Sequence, residues 1–325
     1  MKILVTGGAG YIGSITNKLL KEKSFETVVF DNLSTGHEFA VDKSDLIVGD
    51  LRNREDIVKV FKIAKVDAVV HFAALALAGE SMEKPYDYYV NNLTGGLNLL
   101  EAMRENHCKK IVFSSSCSVY GTPQKLPVAE DAPIHPESVY ASTKRTFEEI
   151  LNWYDQIYGI KSVSLRYFNA AGATLDGGLG ESHDRETHII PIALEVAAGK
   201  REEFRLYGND YETPDGTCVR DYIHVLDLAE AHIKALEFLE KQKKSDVFNL
   251  GVGKGFSNNE IIETVEKVTR KKIKKELAPR RPGDPAMIYA DNTKAGNVLD
   301  WEPKYSDLET IISTAWKWQK NKVKS

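Results

Sequence analysis

The sequence is poor in cysteine. Cys108, Cys117 and Cys218 are the three that its 325 residues contain, and no two are spaced CxxC. An odd number without paired spacing argues against a disulfide framework and a structural zinc site, so no metal is expected. Long hydrophobic runs are also lacking. The opening MKILVTGGAG holds only a few consecutive apolar residues, far short of the ~18–20 of a membrane span. No excess of one charge sign stands out. The formal net charge is −4, which gives neither nucleic acid nor an anionic membrane a reason to be the main partner. There is no internal repeat, low-complexity stretch or flexible linker. The expectation is a cytoplasmic protein of enzyme size, built as one large α/β unit or two closely joined domains.

Short apolar runs ended by glycine or polar residues recur along the chain. KILVT (2–6), ETVVFD (26–31), LIVGD (46–50), VDAVVHF (66–72), KKIVFSSS (109–116) and KSVSLRY (161–167) read as buried strands. Helical patterns lie between them, from Tyr11 to about Lys23 and near 53–64, 84–106 and 138–158. That alternation predicts an α/β fold with a doubly wound parallel sheet covered by helices on both faces. Residues 170–187 read as a long loop, a length often tied to function. IIPIALEVAAG (189–199) resumes as a helix, RDYIHVLDLAEAHIKALEFLE (220–240) as a strand and helix, and VFNLGVG (247–253) as a strand. Both of these strands are expected on the large sheet. The division that follows is 1–168 plus about 222–252 for one domain, and 169–221 plus about 253–325 for a smaller α/β lobe.

GGAGYIG (7–13) places Gly7, Gly10 and Gly13 as GxxGxxG, after a strand and before a helix. Glycines allow a tight turn and close backbone approach, and the helix start offers free N–H groups to a pyrophosphate. Asp31 ends the second strand, 18 residues after Gly13. A carboxylate there accepts hydrogen bonds from ribose hydroxyls and repels a 2′-phosphate, which favours NAD over NADP. A strand-end Asp that caps a turn is the lesser alternative. For Asp50, which ends the next strand, turn chemistry stands level with adenine contact.

SVYASTK (138–144) sets Tyr140 four residues before Lys144, on one helix face. A chain with 14 tyrosines should contain about one such spacing by chance, so the pair alone proves nothing. Context adds weight. Ser138 is suited to cap the helix, which puts Tyr140 in the first turn, where the dipole favours a phenolate. Lys144 adds a positive charge, and an oxidised nicotinamide would add another. Lowering a phenol from ~10 to near 7 needs about 4 kcal/mol, and the result would be a general base and acid at working pH. Ser114, Ser115 and Ser116 end a strand where ligands gather in open parallel sheets. Ser116 is the candidate to complete the set, with ordinary strand-end hydrogen bonding as the alternative.

These pieces resemble the extended short-chain dehydrogenase/reductase superfamily and, more narrowly, the UDP-galactose (UDP-glucose) 4-epimerases. The likeness runs through GGAGYIGS, DNLSTGH, GDLR, HFAAL, FSSSCSVYG, YASTK, LRYFNAAGA, HIIPIAL, YGNDYETPDGTCVRDYIHVLDLA and RRPGDPAMIYAD. The run at 207–229 together with LRYFN is the most specific. The resemblance implies a Rossmann-type sheet with a substrate-binding lobe, NAD as cofactor and a UDP-sugar as substrate. It implies inversion at sugar C4 through a 4-keto intermediate, with transient hydride transfer to bound NAD. It makes Tyr140 the catalytic base, Lys144 a cofactor-binding lysine and Ser116 the bridge to the sugar hydroxyl. Tyr11 and Ile12 become pyrophosphate contacts, Asp31 and Asn32 adenosine ligands, and Asp50 and Leu51 the adenine wall. Phe72, Ala73, Ala74 and Asn92 line the cofactor, and Phe168 stands beside the nicotinamide. Asn169 and His188 face the substrate diphosphate, Tyr207 stacks on uracil, Arg220 and Arg281 pair with the phosphates, and Asp284 meets the nucleotide ribose.

Two phosphates call for fixed cations, and arginine's planar fork suits them; surface salt bridging is the alternative for Arg281. The chain departs from the family pattern at Ala76, where some relatives carry a cofactor-binding lysine. YASTK replaces the commoner YGKSK. Ile288, at the position that gates the sugar's C2 substituent, is intermediate in size and leaves acceptance of UDP-GlcNAc or UDP-GalNAc open; 4-epimerases of UDP-xylose/arabinose or UDP-glucuronate are the other close alternatives. A dehydratase would need an acid–base pair where Cys117 and Ser118 stand. A non-enzymatic NAD-binding regulator would have no need of the Tyr–Lys pair. The resemblance also implies a homodimer through the helices near 84–106 and 138–158. From the residues alone, their apolar stripes serve equally as intrachain core.

Overall fold

The computed structural model describes residues 1–183, 186–281 and 284–322. Its first half alternates strand and helix. β1 (Lys2–Thr6) leads into α1 (Tyr11–Glu22), β2 (Glu26–Asp31), β3 (Leu46–Val48), α2 (Arg54–Ile63) and β4 (Ala68–His71). Then come α3 (Ala78–Glu83), α4 (Pro85–Tyr89), a π-helical turn at Val90–Thr94, α5 (Gly95–Glu105), β5 (Lys110–Ser114), α6 (Val139–Tyr158) and β6 (Lys161–Tyr167). The second half contains β7 (Asn169–Ala171), α7 (Ile189–Ala197), β8 (Phe204–Tyr207), β9 (Val219–Arg220), β10 (Tyr222–His224), α8 (Val225–Gln242) and β11 (Asp246–Leu250). It closes with β12 (Phe256–Ser257), α9 (Asn258–Thr269), β13 (Lys275–Ala278), β14 (Met287–Ile288), α10 (Thr293–Leu299) and α11 (Leu308–Lys322).

Seven parallel strands form the main sheet in the order β11-β6-β5-β4-β1-β2-β3. The fold is the expected Rossmann-type α/β sheet. The chain builds outward from β1 to β3, then crosses to β4 on the other side, so the direction reverses between β1 and β4. Ligands of such sheets sit at the carboxyl ends of the strands beside that reversal. Strand alternation divides the core. Ile3 and Val5 join Leu228, Leu236 and Phe248 on one face, while Leu4 joins Ile57, Leu99, Met103 and Phe147 on the other. A separate cluster, with Ile190, Leu194, Phe204, Ile262 and Ile312, sits under α7, α9 and α11.

One strand lies elsewhere than expected. β11 returns to the main sheet, but β10 pairs in parallel with β7 in a two-stranded sheet of its own. The reason is occupancy: β6 already has β5 on one side and β11 on the other. The helical stretch expected near 84–106 is present but divided, with the π-helical turn between α4 and α5. Such turns recur at functional sites, and this one contains Asn92. Among the described residues, no helix is long and apolar enough to cross a membrane.

Candidate active site

The glycine loop joins β1 to α1 at the reversal point. Gly7 takes φ +71°, and a Cβ there would lie 2.5 Å from the Ala73 nitrogen. A Cβ on Gly13 would lie 2.2 Å from the Gly7 carbonyl oxygen. Both positions demand glycine for steric reasons. Gly10 differs: it is the N-cap of α1 without a capping side chain, and no acidic residue stands in the first turn. A Cβ on Gly10 would meet only the Gly7 oxygen, at 3.3 Å. The helix start therefore carries neither a capping side chain nor an acidic one.

Asp31 closes this loop. Its Oδ2 accepts from the Ala9 N–H (2.9 Å) and its Oδ1 from the Leu33 N–H (2.8 Å). A carboxylate offers about four lone-pair sites, so capacity remains for a ligand. Asn32 donates to Asp50 at 3.2 Å. Arg52 grips Asp50 through short hydrogen bonds and lowers its carboxyl to about 2. Leu51 is buried in the core, and the Asn98 amide donates to its carbonyl at 2.8 Å. After β4, the Phe72 and Ala73 N–H groups both donate to the Thr6 carbonyl, which leads Ala74 and the exposed Ala76 past the glycine loop. The Asn92 amide holds this segment: it accepts from the Leu75 N–H at 2.8 Å and donates to the Leu75 carbonyl at 3.1 Å. Asn92 also donates to the Thr143 hydroxyl at 3.0 Å, and Thr143 donates to the Tyr140 carbonyl at 2.7 Å.

Tyr140 stands in the first turn of α6. Ser138 caps the helix by accepting from the Ala141 N–H at 3.1 Å, and Ser81 of α3 accepts from the Tyr140 N–H at 3.1 Å. Lys144 follows one turn later and is buried; its ammonium donates to the Ser114 carbonyl at 2.6 Å. The ammonium lies 4.8 Å from the centre of the Phe113 ring and 5.7 Å from that of Tyr140. Ser116 caps the 3₁₀ turn Cys117–Tyr120, accepting from the Ser118 N–H (3.2 Å) and hydroxyl (2.9 Å). These three side chains meet beyond the carboxyl end of β5.

The chain's own groups do not by themselves bring the phenol toward neutrality. Burial raises the Tyr140 phenol well above its ordinary value, with Tyr167 adding to the rise and the Ser116 hydroxyl opposing it. The same dry surroundings lower Lys144 to about 7, with Glu148 opposing. Removing both groups from water outweighs what they give each other.

The second half of the site gathers around β9 and β14. The Arg220 guanidinium pairs closely with Asp284 and donates to the Val219 carbonyl at 2.9 Å. Arg281 lies over the Tyr207 ring, 4.0 Å from its centre. Asn169 donates to the Asp221 carbonyl at 2.8 Å. Ile288 and Phe168 share a buried apolar cluster with Val119 and Tyr120, which follow Ser116. His188 has partners of its own: its Nδ1 lies 2.6 Å from Glu181 Oε1 and 3.1 Å from Glu186 Oε1. Tyr11 donates its hydroxyl to the Gly172 carbonyl at 2.6 Å, so it ties α1, where Ile12 follows, to the long loop.

Residues 3–251 match the NAD dependent epimerase/dehydratase family. The chain belongs to that family. It is 49% identical over 320 residues to the UDP-glucose 4-epimerase of Halalkalibacterium halodurans, covering 98% of this chain and 96% of that protein. A crystal structure of UDP-glucose 4-epimerase matches with a TM-score of 0.97 at 46% identity, covering 99% of this chain and 98% of that one. The UDP-glucose 4-epimerase from Brucella ovis, solved in complex with NAD, matches with a TM-score of 0.95 at 47% identity over 97% of each chain.

Sequence reasoning missed the polar frame beneath this epimerase-family site. Glu148 and Arg166 form a buried ion pair with bonds of 2.9 and 2.6 Å. Ser115 donates to Glu148 at 2.7 Å, Arg166 to the Tyr120 hydroxyl at 2.8 Å, and that hydroxyl to Asn249 at 2.8 Å. One network thus fixes β5, β6, β11, α6 and the turn after Ser116. A signal was present: Tyr140, Lys144 and Glu148 are spaced by four along one face. Asp221 was also missed. It is fully buried and accepts from the Val252, Gly253 and Ala290 N–H groups, and burial raises its carboxyl to about 6.

Proposed function

We propose that the chain interconverts UDP-glucose and UDP-galactose by inverting C4 of the hexose, with NAD as resident cofactor. The observation that carries this reading is the meeting of Ser116, Tyr140 and Lys144 beyond β5, next to the glycine loop. The names of the related proteins support it. The loop fits a dinucleotide: the bare start of α1 suits a pyrophosphate, and Asp31 keeps lone pairs for ribose hydroxyls. Gly7, Gly10, Tyr11, Ile12, Gly13, Asp31, Asn32, Asp50, Leu51 and the 72–74 stretch would hold the cofactor. Asn92 acts through Leu75, Thr143 and the Tyr140 carbonyl, so it is a positioning residue.

Bound NAD⁺ would supply a reversible two-electron acceptor and a positive charge. The chain's own groups handle the proton. Ionised under the positive charge that the bound cofactor would add to that of Lys144, the Tyr140 oxygen would take it from the sugar's 4-hydroxyl and later return it, with the Ser116 hydroxyl orienting the exchange. Lys144, held on the Ser114 carbonyl, keeps a cationic group under the phenol's ring. Phe168 and Ile288 would exclude water. Because the sugar must present both faces in turn, the affinity belongs at the UDP end, where Arg220, Arg281, Asn169, Tyr207 and Asp284 would bind. Arg281 covers the Tyr207 ring in this structure, so uracil stacking on that face requires the guanidinium to swing toward the phosphates.

The test is incubation of purified protein with UDP-galactose and no added NAD, followed by chromatographic separation of the 4-epimers. Tyr140→Phe should lower turnover by about 10²–10⁴-fold with UDP-sugar affinity preserved. Near-normal turnover would remove Tyr140 as the base. We also infer a homodimer, because the helices named above leave Tyr86 76%, Trp153 60% and Ile157 63% exposed. Sedimentation at the mass of a single chain would reject it.

A further inference from the structure

ESHDRETH (181–188) contains Glu-x-His twice, five residues apart. The structure folds the two halves toward each other. Glu181, His183, Glu186 and His188 each present one ligand atom, and these four atoms all lie within 4.8 Å of one another. Both imidazoles turn Nδ1 inward. His183 Nδ1 lies 3.3 Å from Glu181 and 3.5 Å from Glu186, and His188 Nδ1 lies 2.6 and 3.1 Å from the same two carboxylates. The rings are tilted by 48° with centroids 5.6 Å apart, so they converge on the carboxylates instead of stacking flat.

The spacing has a plain physical reading. A tetrahedral ion with nitrogen and oxygen ligands at about 2.0–2.1 Å has ligand-to-ligand edges of about 3.3–3.4 Å. The His183–Glu181 edge, 3.3 Å, falls at that value, and Glu186 brackets it, reaching His183 through Oε2 at 3.5 Å and His188 through Oε1 at 3.1 Å. The 2.6 Å contact with Glu181 involves the His188 side chain, which is 49% exposed. The two carboxylates are nearly closed off, at 8% and 7% exposure. Two buried negative charges demand compensation, and a divalent ion cancels both.

We propose that Glu181, His183, Glu186 and His188 form a binding site for one divalent transition ion of the zinc class. Two imidazoles and two carboxylates suit such an ion and do not suit copper(I), which favours sulfur. Four protein ligands complete the tetrahedron, so the site is structural. The cysteine count that argued against zinc does not bear on this donor set.

The position gives the ion something to hold. The loop around the site touches three separate parts of the chain. The Tyr11 hydroxyl at the start of α1 donates to Gly172. His37, beyond β2, makes a 2.9 Å bond with the Ser182 carbonyl. Trp318 of α11 donates to the Glu181 carbonyl at 2.8 Å. His188 immediately precedes α7. An ion at this point would fasten the segment that runs from the cofactor side to the substrate side. The role is independent of which sugar is turned over, and it gives His188 a task other than touching the diphosphate.

The experiment uses the full chain, purified without a histidine tag or chelator. Metal content is measured by plasma mass spectrometry. Stripped protein is then titrated with zinc chloride and, separately, with cobalt chloride. One ion per chain is expected, with zinc raising the Tm of stripped protein and cobalt giving the visible absorption of a four-coordinate ion. The doubly substituted His183→Ala, Glu186→Gln protein should lose both the ion and the cobalt band, and zinc should leave its Tm unchanged. Stripped wild-type protein that shows no saturable zinc effect would overturn the proposal, whether or not the variant folds. Full metal content in a folded variant would overturn it as well, because the ion would then sit elsewhere.

Discussion

Two arginine–carboxylate pairs stand at opposite ends of the site. Arg166 and Glu148, below the reactive tyrosine, are 5% and 3% exposed. Arg220 and Asp284, at the proposed nucleotide end, are 14% and 29% exposed. In the first pair, Ser115 donates to Glu148 and Arg166 donates to Tyr120, with Arg145 a further 3.5 Å neighbour of Glu148. That pair belongs to the frame. The second is open on one side, and solvent or an anionic ligand can compete for the arginine. A pair that must hold a catalytic turn in place is closed off and fully bonded. A pair that would release a cation to a substrate, as proposed for Arg220, stays partly wet, where the exchange costs little.

Acid should separate the two ends most strongly. Burial lowers His71 to about 3 and His232 to about 4, and His224, at the end of β10, also falls to about 4. These groups are neutral in the folded chain and charge more readily when it unfolds near 6.5. Their contribution to stability is intact above that value and is lost as pH falls toward the folded values. At about pH 5 each histidine costs roughly 2 kcal/mol. Asp221, on the substrate side, shifts the opposite way. Its raised folded value means that its burial penalty is relieved as pH falls through about 6, which returns roughly 1 kcal/mol by about pH 5. The net expectation is a lower Tm at about pH 5 than at about pH 7, read by calorimetry. An unchanged Tm would show that the histidines are not held neutral.

Next in size is Glu148→Ala. Removing one partner leaves the Arg166 charge buried and unpaired, at a cost of about 3–5 kcal/mol. Chemical denaturation should show that loss. A change under ~1 kcal/mol would place Glu148 with the exposed pairs and dissolve the distinction between frame and binding end.

The same division explains what could be read from residue order. The glycine loop, Asp31 and the Tyr–Lys pair were legible because their signals are local: a strand, a turn and a helix start within a few residues, or one helical repeat. The main sheet was legible for the same reason. The Arg166–Glu148 pair joins a strand to a helix, and no short-range pattern announces that contact. β10 reads as a strand correctly, but its partner depends on β11, which comes later and takes the place beside β6. The four ligands at 181–188 lie within eight residues, yet a motif search led by cysteine passes over them. Charges near the Tyr140 phenol can be counted from sequence, whereas its desolvation comes from sequence-distant neighbours and cannot.

The smallest expected effect on stability tests the open pair. Arg220→Lys keeps the charge beside Asp284 but loses the planar fork that reaches two acceptors at once. A partly exposed ion pair contributes about 0–1 kcal/mol, so the Tm should hardly move. UDP affinity, measured by titration calorimetry, should fall about tenfold, which corresponds to about 1.4 kcal/mol. Those two readings together define a group whose work is done on the ligand. A Tm loss as large as that of Glu148→Ala would make Arg220 part of the frame. Unchanged UDP affinity would remove it from the diphosphate site and leave Arg281 as the remaining candidate cation, which has to leave the Tyr207 ring to serve.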